Sequence, residues 1–349
     1  MKKRIIIIST IITILLVIAA VIVTVLFSCN KKPTYTQGLV YTLDESTGGY
    51  MVEGVGSASS AHLIIPPTVN GLPVTAIGAE AFQYCDFITQ ITIPDSVVAI
   101  GNLAFYGTGY YKNNDNWDRE ALYIGKHLIK VNEQKTGSLV IREGTVNIAA
   151  CALYECKNLT RVTVPEGLKS IGFYSFYKCE QLVNIAIPDS VTRIDTCAFK
   201  NCSALKEAKV PDGVTYFGNY VFEQCTSLET CALGGGITEI SYYTFNNCSS
   251  LTQVVIPESV TSIARNAFYN CGKLTGVTIP QGVGYIGKNA FYGCRSLTEA
   301  IFANNSGWFV TSSESAESGT DIPGESLSDP SAAAKLLNST YSGYHWKRA

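Results

Sequence analysis

Apolar residues recur along most of the chain with a period of 23 residues. One full period covers residues 251–271, in which Leu251, Val254, Ile256 and Ile263 are apolar. Seven cysteines keep the same step: Cys156, Cys179, Cys202, Cys225, Cys248, Cys271 and Cys294. A fixed period of this length is typical of a solenoid, in which stacked units share one continuous core.

Each period predicts one strand followed by one short helical turn. Residues 254–256 alternate as in a half-buried strand, and Pro257 ends it because proline has no N–H for a sheet. Residues 264–271 then show helical spacing of their apolar members. The predicted fold is an α/β repeat, a leucine-rich-repeat solenoid forming a right-handed β-α superhelix with a parallel sheet on its concave face.

Composition and charge exclude several classes of function. The 349 residues carry a formal net charge of −2, and the basic residues are scattered, so we expect no nucleic-acid binding. The three histidines, His62, His127 and His345, share no repeat position, and no paired Cys-x-x-Cys motif is present. We therefore predict no enzyme activity, no cofactor and no metal site.

Twelve cysteines would suggest disulfides in an exported chain. Seven of them occupy a single repeat position directly after the predicted helical turn. Because seven is an odd number, these cysteines cannot all form disulfides with one another. Cys231 stands where Val254 stands in a later unit, which is a core position. We expect buried free thiols rather than a disulfide ladder.

The first 29 residues predict export and anchoring. A basic segment, residues 2–4, precedes an apolar run, residues 5–27, which is long enough to span a bilayer as an uncleaved signal anchor. Alternatively, Leu-Phe-Ser-Cys at 26–29 resembles a bacterial lipobox, in which Cys29 is the lipidated residue. Cleaved secretion is a third alternative. Each alternative places the rest of the chain outside the cytoplasm.

The periodicity also divides the remainder of the chain. Residues 30–62 predict a spacer and an N-terminal β-hairpin cap. The solenoid follows over 63–302, with an insertion at 107–135 where the period is lost. Residues 303–349 predict an acidic flexible loop and a C-terminal cap.

The repeat resembles a known bacterial class. Its motif is Leu-x-x-Val-x-Ile-Pro-x-x-Val-x-x-Ile-x-x-x-Ala-Phe-x-x-Cys at 251–271 and 274–294, with isoleucine for the first valine at 182–202. This pattern is similar to the BspA-like, or Treponema-type, leucine-rich repeats, and the resemblance covers residues 39–302. It implies an extracellular surface protein used in adhesion, whose partner is a host extracellular-matrix or cell-surface protein or a surface glycan.

The predicted concave face contains the first group of candidate binding residues. Arg161, Asn184, Glu207 and Gln253 all occupy the third position of their strands, where side chains point away from the core. A row of this kind suits binding of a protein or glycan. The alternative is an ordinary solvated sheet face.

The insertion contains the second group, Tyr110, Tyr111 and Trp117, beside several Asn and Asp residues. Exposed aromatic rings in this setting suit sugar stacking or a protein-binding hot spot. The alternative is that these rings pack on the solenoid flank as a small core of the insertion itself.

The sequence thus predicts a non-enzymatic, membrane-anchored cell-surface protein that binds a macromolecule in protein–protein or cell–cell contact. One alternative is a surface carbohydrate-binding module that uses the insertion aromatics. Another is a structural envelope spacer without a ligand. The sequence does not predict an oligomeric state.

The lipobox hypothesis predicts that Cys29→Ala leaves the precursor uncleaved, because the lipid acceptor is absent. Gel mobility and mass spectrometry of the membrane fraction measure this processing. Unchanged processing of the variant would exclude lipidation at Cys29.

Overall fold

The computed structural model describes residues 34–45 and 48–349. Cys29 and the apolar run at 5–27 lie outside the described residues. Within the described part, no helix has the length and apolarity needed to cross a membrane.

An antiparallel hairpin begins the described chain. Val40–Asp44 pairs with Gly49–Gly54, which continues in parallel onto Leu72–Ile77. The latter strand also pairs with the short Thr68–Val69 and with Ala99–Ile100. The hairpin therefore extends the strands of the first units at their N-terminal end.

The first strand of each unit belongs to a row of parallel strands, which we call the first-strand row. Its members are His62–Ile64, Gln90–Thr92, Gly137–Val140, Leu159–Thr163, Asn184–Ile185, Glu207–Lys209, Thr230–Ala232, Gln253–Val255, Gly276–Ile279 and Glu299–Phe302. Equivalent positions pair directly, so Thr230 lies between Glu207 and Gln253. Among the described residues, strand pairing within this row is interrupted at the insertion, between the second and third members, and again before Glu207–Lys209 and before Gly276–Ile279.

A second row of strands, two residues each, follows the proline of most units. Its members are Ala99–Ile100, Asn147–Ile148, Ser170–Ile171, Arg193–Ile194, Tyr216–Phe217, Glu239–Ile240, Ser262–Ile263 and Tyr285–Ile286. We call this the second-strand row. The sequence marked residues such as Ile263 only as recurring apolar positions. The structure adds that their backbones pair in parallel with the next unit.

The third side of each unit consists of turns, and the predicted helical turn is not formed. Residues 265–270 are turns, for example. In the segment near Phe176, the N–H of Tyr177 donates to the Tyr174 carbonyl within the unit, at 3.1 Å. The N–H of Phe176 instead donates to the Ala198 carbonyl of the next unit, at 2.8 Å. Because alternate N–H groups bond outside the segment, a helix cannot form.

The repeat solenoid of stacked strands is thus confirmed, while the helical part of the predicted α/β superhelix is not. The helices among the described residues are Gly109–Lys112, Gly324–Ser328 and Pro330–Lys335, with a 3₁₀ turn at Asn114–Asn116 and a π-helical turn at Leu336–Thr340. They lie in the insertion and near the C-terminus. The repeating part of the described chain is strand and turn.

Two residues in each turn segment, four positions apart, adopt left-handed backbone. The pairs are Glu80 and Tyr84, Leu103 and Gly107, Cys151 and Glu155, Tyr174 and Lys178, Cys197 and Asn201, Tyr220 and Gln224, Tyr243 and Asn247, Asn266 and Asn270, and Asn289 and Gly293. Such backbone costs roughly 1–3 kcal/mol in a residue other than glycine. In most of these pairs, hydrogen bonds from both backbone N–H groups to the next unit hold the residues in place.

The core is built from side-chain columns. Phe176, Phe199, Phe222, Phe245, Phe268 and Phe291 stack at centroid distances of 5.0 to 5.7 Å. Beside them, the thiols of the cysteine column donate to carbonyls earlier in the chain, as Cys225 Sγ does to the Phe199 carbonyl of the preceding unit at 3.2 Å. Burial raises the pKa of Cys202 and Cys225 well above the usual value. The predicted burial of the cysteine column is confirmed.

The insertion forms a hairpin that joins two hydrophobic clusters. Its strands are Trp117–Asp118, Ala121–Ile124 and His127–Val131. One cluster includes Ala121, Tyr123, Leu128 and Val131, together with the later units. The other includes Leu122, Ile124 and Ile129, together with residues of the first units. The hairpin is therefore buried on both faces.

The C-terminal residues cover the last units. His345–Arg348 pairs antiparallel with Tyr285–Ile286 and with Trp308–Thr311, which also pairs with Thr320–Asp321. Trp308 and Trp346 are almost fully buried, at 1% exposure each. The second-strand row thus ends in antiparallel strands rather than an open edge, which removes a site for further strand pairing.

We predict that Gln224→Val lowers the free energy of unfolding by about 1–2 kcal/mol, because a β-branched residue is strained at this left-handed position. Gln224 has φ of 59°, and its side chain is exposed. Gln224→Gly is the matched control and should be nearly neutral. Urea unfolding measures both. Equal destabilisation by valine and glycine would contradict the backbone explanation.

His127, in the insertion hairpin, is expected to make the stability of the protein sensitive to acid. Its pKa is lowered from 6.5 to about 4, chiefly by burial; Asp95 and a hydrogen bond with Asn147 partly oppose this shift, and Lys126 adds to it. The unfolded chain then binds the proton first, so stability is complete above about pH 6.5 and falls by about 3 kcal/mol as the pH approaches about 4. Urea unfolding across this range should show a shallower loss for His127→Gln. An identical slope in that variant would exclude His127 as the cause.

Candidate ligand-binding surfaces

The first-strand row brings the four predicted face residues into one column. Arg161 pairs in register with Asn184, and the strands of Glu207 and Gln253 flank the strand of Thr230. All four predicted side chains are exposed. Strand alternation explains this, because the neighbouring residues point into the core.

A shallow cavity of about 470 Å³ lies along this column, lined by residues of four successive strands. Its base includes small side chains at the fifth strand position, Ala186 and Ala232, while Glu207 and Lys209 are charged. Neither charge forms an ion pair with another residue of the described chain. The surface therefore offers uncommitted charges beside a small apolar area, which suits contact with another macromolecule.

The insertion aromatics form a small cluster of their own. The rings of Tyr111 and Trp117 meet edge to face at 5.5 Å, and Trp117 Nε1 donates to the Tyr111 carbonyl at 2.9 Å. The Tyr110 hydroxyl donates to the Tyr123 carbonyl at 2.9 Å. All three predicted residues are half-buried and pack on the cluster of the first units. Burial raises the pKa of Tyr110 and Tyr111.

The local sequence explains this position of the rings. Thr108 caps the helix Gly109–Lys112 by accepting from the Tyr111 N–H at 3.0 Å. Asn113 likewise caps the following 3₁₀ turn. Tyr111 and Trp117 also border an open cavity of about 450 Å³ with Lys112, Asn114, Arg119 and Asn132. Three residues of the first predicted group and two of the second thus line separate cavities, and Arg161 and Tyr110 line neither.

Sequence reasoning missed two aromatic residues that extend the insertion cluster. Tyr106 meets Tyr111 at 5.2 Å, and Tyr84 meets Tyr106 at 5.6 Å, both edge to face. Tyr106 directly follows the core Phe105. A tyrosine one residue after the core aromatic also recurs at Tyr177 and Tyr269. The recurrence of this tyrosine was the signal in the sequence that could have pointed to Tyr106.

The described chain contains no group of three or more His, Cys, Asp or Glu side chains placed to hold a metal ion. The candidate surfaces therefore rest on shape, hydrogen bonding and aromatic contact.

Comparison with known proteins identifies the repeat. A family model, described as the BspA type leucine rich repeat region, matches residues 75–115, 123–251 and 219–316, with six copies. The chain belongs to this family. No curated protein matches the sequence of this BspA-type chain.

Solved structures of bacterial repeat proteins are similar to it. The T. pallidum leucine rich repeat protein is 20% identical, with 76% of this chain and 91% of that chain covered and a TM-score of 0.35. A leucine-rich repeat protein from Bacteroides ovatus is 22% identical, covering 78% and 88%, with a TM-score of 0.36. The pneumococcal vaccine antigen PcpA is 19% identical, covering 65% and 62%, with a TM-score of 0.35.

Proposed function

We propose that this BspA-type chain is a non-enzymatic adhesion protein that binds a protein partner through the first-strand row. The carrying observation is the exposed column of Arg161, Asn184, Glu207 and Gln253, of which the last three line one cavity. Leucine-rich repeats of this family generally act in protein binding, which agrees with such a surface.

The construction of the row supports this function. Each strand is fixed by its neighbours, so the exposed side chains are held in register before a partner arrives. A rigid surface loses little conformational entropy on binding. Many modest contacts can then add up over several units.

The proposal also includes a location at the cell surface. Proteins of this family are generally exposed on bacterial surfaces. The N-terminal sequence supports an extracytoplasmic chain held at the membrane, by lipid on Cys29 or by the apolar run at 5–27. The partner would be a host extracellular-matrix or cell-surface protein.

Glycan capture by the insertion aromatics has weaker support. The indole N–H of Trp117 and the hydroxyl of Tyr110 already bond to backbone carbonyls. Their rings are half-buried against the core, so only part of their surface is free for a sugar. An envelope spacer without a ligand would not need the uncommitted charges of Glu207 and Lys209.

The proposal predicts saturable binding of the full-length chain to a matrix or cell-surface protein in a panel screen. Changing Arg161, Glu207 and Gln253 together to alanine should weaken that binding by about tenfold or more, because a central part of the interface is removed. Surface plasmon resonance measures the affinity.

The matched control changes the same three residue types away from the row. Arg265, Glu180 and Gln281 are exposed and lie outside the first-strand row, so their replacement by alanine should leave the affinity unchanged. Equal losses in both variants would indicate a general surface effect. Absence of binding to every protein in the panel would favour the spacer.

A further inference from the structure

Backbone hydrogen bonds join the turn segments of successive units in a ladder, and within the described chain this ladder is interrupted at one place. In regular units, the N–H groups of both left-handed residues and of the residue midway between them donate to the next turn segment. Leu153, for example, donates to the Ser175 carbonyl at 2.8 Å. After the turn segment 101–107 the chain forms the insertion hairpin, so the following turn segment is 149–155. A cleft of about 620 Å³ lies between the two segments.

Backbone groups on both walls of this cleft are left without partners. The N–H groups of Leu103, Phe105 and Gly107 occupy the donor positions of the ladder, yet none bonds to any described residue. On the facing segment, the carbonyls of Ala150 and Tyr154 likewise receive no donor within the described chain. Backbone groups at sheltered positions normally find partners, so this cleft favours a ligand that both donates and accepts hydrogen bonds.

The walls of the cleft are aromatic. Tyr84 and Tyr106 line one side, and Tyr154, Phe173 and Tyr174 line the other. Tyr84 and Tyr106 are 64% and 39% exposed. Ring faces on opposite walls suit a flat ligand with apolar faces and polar edges.

The polar side chains of the cleft carry no net charge. Lys130 and Glu133 pair with each other at 3.0 Å. The amides of Gln83 and Asn102 line the cleft and form no hydrogen bond within the described chain. Neutral donors and acceptors are therefore available to a ligand. The two charged side chains are already paired with each other, so an ionic ligand would gain little from them.

From these observations we propose that the cleft between turn segments 101–107 and 149–155 binds a neutral saccharide. Hydroxyl groups both donate and accept, which matches the open N–H and carbonyl groups. The apolar faces of a pyranose ring would stack on the tyrosines. A lipid chain would leave the polar groups unpaired.

An extended peptide is a poorer match for the broken ladder. The wall segment is coiled into consecutive turns, since the N–H of Tyr106 bonds to the Leu103 carbonyl at 3.0 Å. Four residues of a turn span less than about 7 Å, whereas an extended strand of that length spans about 10 Å. The donors are thus too closely spaced for a strand.

The test is a glycan array of neutral and charged oligosaccharides probed with the full-length chain, followed by calorimetry on any neutral sugar bound. Saturable binding is expected, with an affinity about tenfold or more weaker in Tyr106→Ala because a stacking surface is lost. Tyr292→Ala is the matched control. Tyr292 also follows a core phenylalanine, is 46% exposed and lies outside the cleft.

Gln83→Leu is a second variant that preserves side-chain size and removes the amide, so it should also weaken binding if the fold is intact by circular dichroism. No binding to neutral sugars, or binding insensitive to both Tyr106→Ala and Gln83→Leu, would overturn the proposal. So would Tyr106-dependent binding of peptides alone.

The saccharide site stands independently of the protein-binding row. Alanine at Arg161, Glu207 and Gln253 should leave the sugar affinity unchanged, and Tyr106→Ala should leave protein binding unchanged. Failure of one function then has no bearing on the other.

Discussion

Hydrogen bonding from each unit to the next, at a nearly constant sequence separation, is the constraint on which the fold depends. Short strands of two to five residues could not hold their shape alone, and a strained turn would relax without its neighbour. In the stack, the N–H of Phe222 reaches the Thr244 carbonyl just as the N–H of Phe245 reaches Ala267. The same separation aligns the phenylalanines and thiols in the interior.

This constraint also shapes the two candidate binding regions. Where the ladder is regular, strand alternation presents Glu207 and Gln253 at a fixed spacing on an exposed face. Where it is broken, donors such as Leu103 N–H lose their partners and a cleft opens. Regular and interrupted parts of one repeat therefore offer surfaces of different chemistry, one broad and polar, the other narrow and aromatic.

Much of this architecture could be predicted from periodicity. The 23-residue step in leucine, phenylalanine and cysteine identified the repeat, the core columns and the exposed position of residues such as Arg161. The turn segments could not be assigned from apolar spacing alone. Ala267, Phe268 and Cys271 have the spacing of a helix, but spacing does not reveal whether an N–H bonds within its segment or to the next unit.

The residue types of the turn segments indicate their backbone conformation, which the spacing of apolar residues does not. Asn266 and Asn270, or Asn289 and Gly293, stand four apart where left-handed backbone is needed, and these residue types tolerate it best. The cleft was harder to predict. It arises because residues 124–130 belong to a hairpin and supply no turn segment. Its walls come from residues such as Tyr84 and Tyr154, which are far apart in the chain.

The hairpin at 121–131 has a mechanical consequence. Leu122 and Ile124 enter one hydrophobic cluster, while Ala121 and Tyr123 enter the other. A pulling force applied between the start of the described chain and a partner on Glu207 is carried by direct bonds between the flanking units, such as Ala150 N–H to the Ile100 carbonyl, and also by these strands. Their side chains would have to leave both clusters before the two parts could separate. The irregular segment of the repeat thus contributes to the mechanical resistance of the contact between its two halves.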